Sequence, residues 1–174
     1  MALNMILRLL LILSTIFFIS SCDGGLQPPD PESKSYLNVK FNFVGGKEAW
    51  PQDSMFGFRL GAIKPNIKEN PITVDSLVTL IVNGDAYITL ESLDFNVDSS
   101  SVSLEINSPD TLRYIAGVWQ NDSTFYDQVI AGVYTESGDP AKNSTLIFAK
   151  GQSHSIVINV DFKNLPPTPL KEVE

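Results

Sequence analysis

The 174-residue chain is poorest in the residue types that most often carry chemistry, with one cysteine and one histidine. A single cysteine excludes an intramolecular disulfide framework and any Cys-rich metal site. A single histidine removes most imidazole-based catalysis and His-ligated metal chemistry. Positive charge is also scarce: 12 Lys and Arg stand against 20 Asp and Glu, a net charge of −8. Nucleic-acid binding rests on cations neutralising phosphates, so nucleic acid is not among the expected partners. Aromatic residues, by contrast, make up 10% of the chain and hydrophobic residues 43%, too many for a disordered polymer. The length suits one ordinary domain.

The longest apolar run is also short. Residues Leu9–Ile19 follow a start that carries Arg8 and no acid. As a helix, this run of about 16 Å covers half of a ~30 Å hydrocarbon core. It therefore reads as the core of a signal peptide and not as a span. Ile19-Ser20-Ser21-Cys22 follows directly and resembles the bacterial lipobox, with a branched aliphatic residue, two small residues and then the acceptor thiol. The resemblance implies cleavage before Cys22, diacylglyceryl transfer to its sulfur, and a mature protein held in the membrane by palmitate-type acyl chains. Two or three chains, at about 0.8 kcal/mol per buried CH₂, anchor stably where one does not. Removing residues 1–21 takes away one cation and no acid, so the net charge becomes −9.

Residues 22–35 are then the lipidated cysteine and a tether, DGGLQPPDPESKS, with no periodic apolar face. Asp23 resembles an inner-membrane retention signal of one bacterial group and also the acidic surface-export signals of others. The expected address is the cell envelope, with the outer membrane or cell surface ahead of the periplasmic face of the inner membrane.

From Tyr36 the dominant period is two. Leu37, Val39, Phe41 and Phe43 alternate with Asn38, Lys40 and Asn42; Phe56, Phe58, Leu60 and Ala62 alternate with Gly57, Arg59 and Gly61; Ile156, Ile158, Val160 and Phe162 alternate with Val157, Asn159 and Asp161. This is the pattern of sheets covered on one face. Further strands are expected at 77–82, 86–90, 101–106, 113–119, 128–134 and 144–149. The first two are joined by a hairpin at Asn83-Gly84, a dipeptide that tolerates positive φ. No convincing helical spacing is read. Seven to nine short strands predict an all-β sandwich over 36–164 and a disordered tail over 165–174.

Gly45-Gly46, Trp50-Pro51, FGFRLGAIKP, YIAGVW, VIAGVY and the closing strand together resemble bacterial lipoproteins with a transthyretin-like domain of the prealbumin or carboxypeptidase-regulatory kind. The resemblance covers about residues 36–163 and implies a single Greek-key sandwich used in binding, adhesion or spacing. An immunoglobulin-like sandwich shares the pattern of strands.

No catalytic residue and no cofactor are expected. His154 reads as an edge residue whose neighbours Ser153 and Ser155 point to the other face. Calcium would be the metal of choice for the oxygens of Asn96, Asp98, Asn121, Asp122 and Asp127, but their spacing fits no EF-hand loop and turns account for them, so no metal is assigned. Trp50 reads either as a plug at the end of the sandwich or, with Trp119, Phe125 and Tyr126, as a ring for a sugar or an anchor for a protein ligand. Asp53-Ser54-Met55, Asp75-Ser76-Leu77, Asp110-Thr111-Leu112 and Asp122-Ser123-Thr124 resemble envelope O-glycosylation acceptors. The expected function is a non-enzymatic, membrane-anchored binding, adhesion or assembly module. A carbohydrate-recognition component of an uptake system is the alternative, ahead of a hydrolase, which would need converging carboxylates.

Overall fold

The computed structural model describes residues 34–53, 56–66, 74–124, 128–139 and 142–167. Cys22 and the proposed leader and tether up to residue 33 lie outside the described residues, as do Phe125, Tyr126, Asp127 and the tail beyond Pro167.

Among the described residues, strands dominate. Sheet A has the order β4-β1-β9, with β1 Ser35–Phe43, β4 Ser99–Ile106 and β9 His154–Val160. Sheet B has the order β3-β2-β6-β7, with β2 Gly57–Ile63, β3 Ala86–Ile88, β6 Tyr114–Gln120 and β7 Gln128–Val133. A ribbon of β5 Asp110–Leu112 and β8 Leu146–Phe148 completes the set. All pairs are antiparallel except β1 with β9, the first and last strands, which run parallel.

The alternation of two in β1 appears directly as burial: Leu37, Val39, Phe41 and Phe43 are buried while Asn38 and Lys40 are exposed. These residues meet Phe58, Leu60, Ala62 and Ile115 of sheet B in one core. The sheets approach closely where β6 has no side chain. A Cβ on Gly117 would lie 2.7 Å from the Phe58 ring and 2.9 Å from the Phe41 ring. Burying these rings drives the fold, at about 25 cal/mol per Å² of apolar surface.

One expected strand is a helix. Residues 77–82 belong to α1, Val74–Asn83. Leu77, Leu80 and Ile81 are half-buried, and Val78 and Val82 are exposed, the i, i+3, i+4 spacing of one helical face. The run of β-branched residues favours a strand locally, but the tertiary context overrides it. Tyr114, Ala116 and Val133 on the outer face of sheet B are apolar, and Leu77 and Leu80 cover them. Sheet B is therefore covered on both faces along this stretch, against the expectation of one covered face. The Asn-Gly dipeptide ends the helix instead of making a hairpin. Gly84 has φ 75, its N–H donates to the Ile81 carbonyl, and the Asp85 N–H donates to the Leu80 carbonyl at 2.7 Å, the Schellman closure.

Candidate functional site

The pairings Asn42↔Ser99, Phe43↔Val160, Gly57↔Gln120 and Gln120↔Gln128 bring the ends of six strands to one end of the sandwich. Trp50 and Trp119, far apart in sequence, come together there. Both contact Phe162, at 4.9 Å and 5.5 Å between ring centroids.

Trp50 follows a short 3-10 helix, Gly46–Ala49, which starts after Gly45 at φ 85. The Asp98 carboxylate accepts the Lys47 N–H at 2.9 Å and holds this turn against the start of β4. The Trp50 side chain is 2% exposed, lies 4.2 Å from Phe43 and 5.7 Å from Phe58, and donates its indole N–H to the Val97 carbonyl at 2.8 Å. Of the two roles read from the sequence, the geometry is that of the plug, and the ring has no open face. Trp119 is half-buried and edge-on to Phe162.

The apolar groups that face solvent at this end are others. Phe56 is 52% exposed, Val44 50% and Phe95 41%. Phe56 has the inward parity of β2 but precedes its first paired residue, so its ring lies past the end of the core. No periodic signal marks it as a surface group, and Phe95, in the irregular crossover from β3 to β4, has no period at all. Around them the chain is held by polar groups. Gln120 is buried, accepts from the Arg59 guanidinium at 2.8 Å and donates to the Asp122 carbonyl at 2.9 Å. The Ser123 hydroxyl holds the exposed Asp122 carboxyl below the usual carboxylate range, and hydrogen bonds led by the Asn164 amide do the same for Asp161.

The opposite end, where β1 begins, is closed by polar contacts. Asp110 is the hub: its side chain is 10% exposed, pairs with the Lys64 ammonium at 2.7 Å and accepts from the Tyr87 hydroxyl at 2.7 Å, while Lys64 sits 5.1 Å over the Tyr87 ring. Burial opposes the Lys64 charge, but the hydrogen bond to Asp110 and the charges around it prevail and raise its pKa. Burial, then the Asp110 hydrogen bond, raises that of Tyr87. Ser35, fully buried, donates to Ser108 at 2.8 Å. His154 Nε2 meets the Ile147 carbonyl at 2.9 Å and its ring stands on Phe148, while Ser153 accepts the Tyr36 N–H. The imidazole is thus occupied by structure, with no hydroxyl bonded to it.

Among the described residues no three His, Cys, Asp or Glu side chains converge as a metal-binding group. Asp98 and Asp122, singled out as oxygen donors, accept the Lys47 N–H and the Ser123 hydroxyl. The acceptor-like Ser123 and Thr124 lie in an exposed turn, whereas Thr111 is half-buried within β5. No helix among the described residues is long and apolar enough to cross a membrane. Compared with protein-family models, with curated proteins and with solved structures, the chain matches none.

Proposed function

We propose that this protein is a lipid-anchored envelope protein, acylated at Cys22, whose Greek-key, transthyretin-like sandwich presents its aromatic loop end to a protein ligand and carries out no chemistry of its own. The supporting observation is the direction of β1. The folded chain is entered at Lys34 and Ser35 beside the Asp110 cluster, and nine residues later Phe43 reaches the end that exposes Val44, Phe56 and Phe95. At about 3.3 Å per residue the two ends are roughly 30 Å apart, so the described chain enters the domain at the end away from the apolar loops. Three exposed apolar groups around a rigid aromatic plug suit an anchor-in-pocket contact better than catalysis.

Two measurements test this. The full chain expressed in bacteria should incorporate radioactive palmitate, and Cys22→Ala should not; labelling that survives the substitution removes the anchor. Phe56→Ala with Phe95→Ala should lose co-purifying envelope proteins while the far-ultraviolet spectrum stays unchanged. Unchanged capture removes the loop end as the binding surface. Glycan binding by the same rings is read separately on a glycan array.

A further inference from the structure

Sheet edges expose unpaired backbone groups, and proteins usually blunt them. Here three of the four edges of sheets A and B are blunted. Strand β3 has only three residues. Strand β7 is bulged where its register with β6 shifts at Gly117/Val118, which leaves Ala131 as the extra residue. It also leans on β9 so closely that a Cβ on Gly132 would lie 2.6 Å from the Asn159 carbonyl oxygen, so these two edges shield each other. Among the described residues, strand β4 has none of these devices. It runs eight residues, SSSVSLEI, in unbroken register with β1, without Pro, Gly or bulge and with one charge.

The ladder shows which of its groups are free. The Phe43 N–H donates to the Asp98 carbonyl, so the backbone of Asp98, and by alternation of Ser100, Val102, Leu104 and Ile106, faces β1. Ser99, Ser101, Ser103 and Glu105 therefore turn one N–H and one C=O each away from the sheet, eight groups along one straight edge. Their side chains lie on the polar outer face, beside Asn38 and Lys40.

The geometry points to a second copy of this chain as the occupant, joined β4 to β4 in antiparallel sense across a twofold axis at Val102. In that register Ser101 faces Ser103 of the copy and Ser99 faces Glu105, so all eight groups find partners. The single charge of the strand, Glu105, already paired with Lys34 at 2.9 Å, falls opposite a serine and never opposite its own copy. On the inner side, half-buried Val102 meets Val102 and Leu104 meets Ser100, extending the margin of the core. Such self-complementarity is what a closed twofold contact requires. Antiparallel pairing sends the two chains upstream of Lys34 out at opposite ends, so copies anchored there would join two surfaces. The pairing itself does not depend on acylation of Cys22.

The test uses the full chain in detergent. Light scattering should give a protein mass twice that of one chain as measured by mass spectrometry of the same sample. Ser101→Pro should return it to one chain, because the N–H it removes is not part of the β1 ladder, while Ser101→Ala should leave the dimer intact. The double variant Ser101→Cys, Ser103→Cys should form a disulfide-linked dimer on oxidation. Asn38→Cys with Asn42→Cys, which retains the same Cys22, should not. If Ser101→Pro fails to fold, the cysteine pair decides. A monomeric wild type, a dimer that survives Ser101→Pro in a folded chain, or equal cross-linking of both cysteine pairs overturns the proposal.

Discussion

The two ends of this sandwich are closed by opposite means. The loop end is sealed by rings, with Trp50, Phe43, Phe58 and Phe162 within about 4 to 6 Å of one another. The end where the chain enters is sealed by a carboxylate shared between an ammonium and a phenol, and by a buried serine on a serine. Apolar closure depends on volume and tolerates surroundings that vary, as the irregular loops there do. Polar closure depends on direction, since each buried donor needs its acceptor, and here the partners sit within β1, β3 and β5 or just past the ends of β2 and β4.

Removing the largest ring should show the first kind of closure at its strongest. Trp50→Ala leaves a cavity and orphans the Val97 carbonyl, and should cost about 3–5 kcal/mol, read as a lower denaturant midpoint at unchanged slope. At the polar end, Asp110→Ala strips the acceptor from both Lys64 and Tyr87 and should cost about 1–3 kcal/mol. The Lys64 share falls at the low end because that side chain reaches water. A smaller loss is expected at the helix stop beside it. Gly84→Ala has free space for its Cβ but forces an alanine to φ 75, a penalty of about 1 kcal/mol measurable as a shift in Tm.

The smallest effect separates the ends by pH. Lys64 and Tyr87 both hold their protons more tightly in the fold than as free groups, with pKa values raised above 10.5 and 10.0. A raised folded value means that the stabilisation is complete below the unfolded pKa and is lost as pH rises through the folded one. The Tm should therefore fall above about pH 10, and Tyr87→Phe should flatten that fall. Trp50→Ala, which removes no titratable group, should leave its slope unchanged.

Tyr114 sharpens the rule about direction. Its ring is buried under α1 and its hydroxyl has no partner among the described residues, and burial alone drives its pKa well above the normal phenol range. Tyr114→Phe should therefore be neutral or stabilising by up to about 1 kcal/mol, the opposite sign to Asp110→Ala.

Most of the sheet was legible because burial on one face imposes a period of two that no other structure satisfies. Strands β1, β2 and β9 are the residues whose alternation marked them. Helix α1 was not legible, because Leu77-Val78-Thr79-Leu80-Ile81-Val82 fits a strand by propensity and a helix by spacing. Its choice depends on the apolar outer face of β6, more than 30 residues away in sequence. The same holds for the candidate site. Aromatic residues could be picked out by type, yet whether a ring is a plug or a contact depends on where the strands end. Trp50, seven residues beyond the alternation that ends at Phe43, lies inside, whereas Phe56, in perfect alternation with Phe58, lies half outside.

By itself the sequence determined what depends on residue type and local period: the exclusion of an intramolecular disulfide framework and a Cys-rich metal site, the acidic balance, the lipobox-like Cys22, and a mostly β domain. The tertiary structure decided what depends on neighbours distant in the chain. It placed the parallel pairing of first and last strands, the helix that covers sheet B, the polar hub at Asp110 and β4 at the edge of its sheet. The physical reason is that a period records which face of a segment is buried, whereas the element that buries it, or leaves it bare, is set by packing across the whole domain.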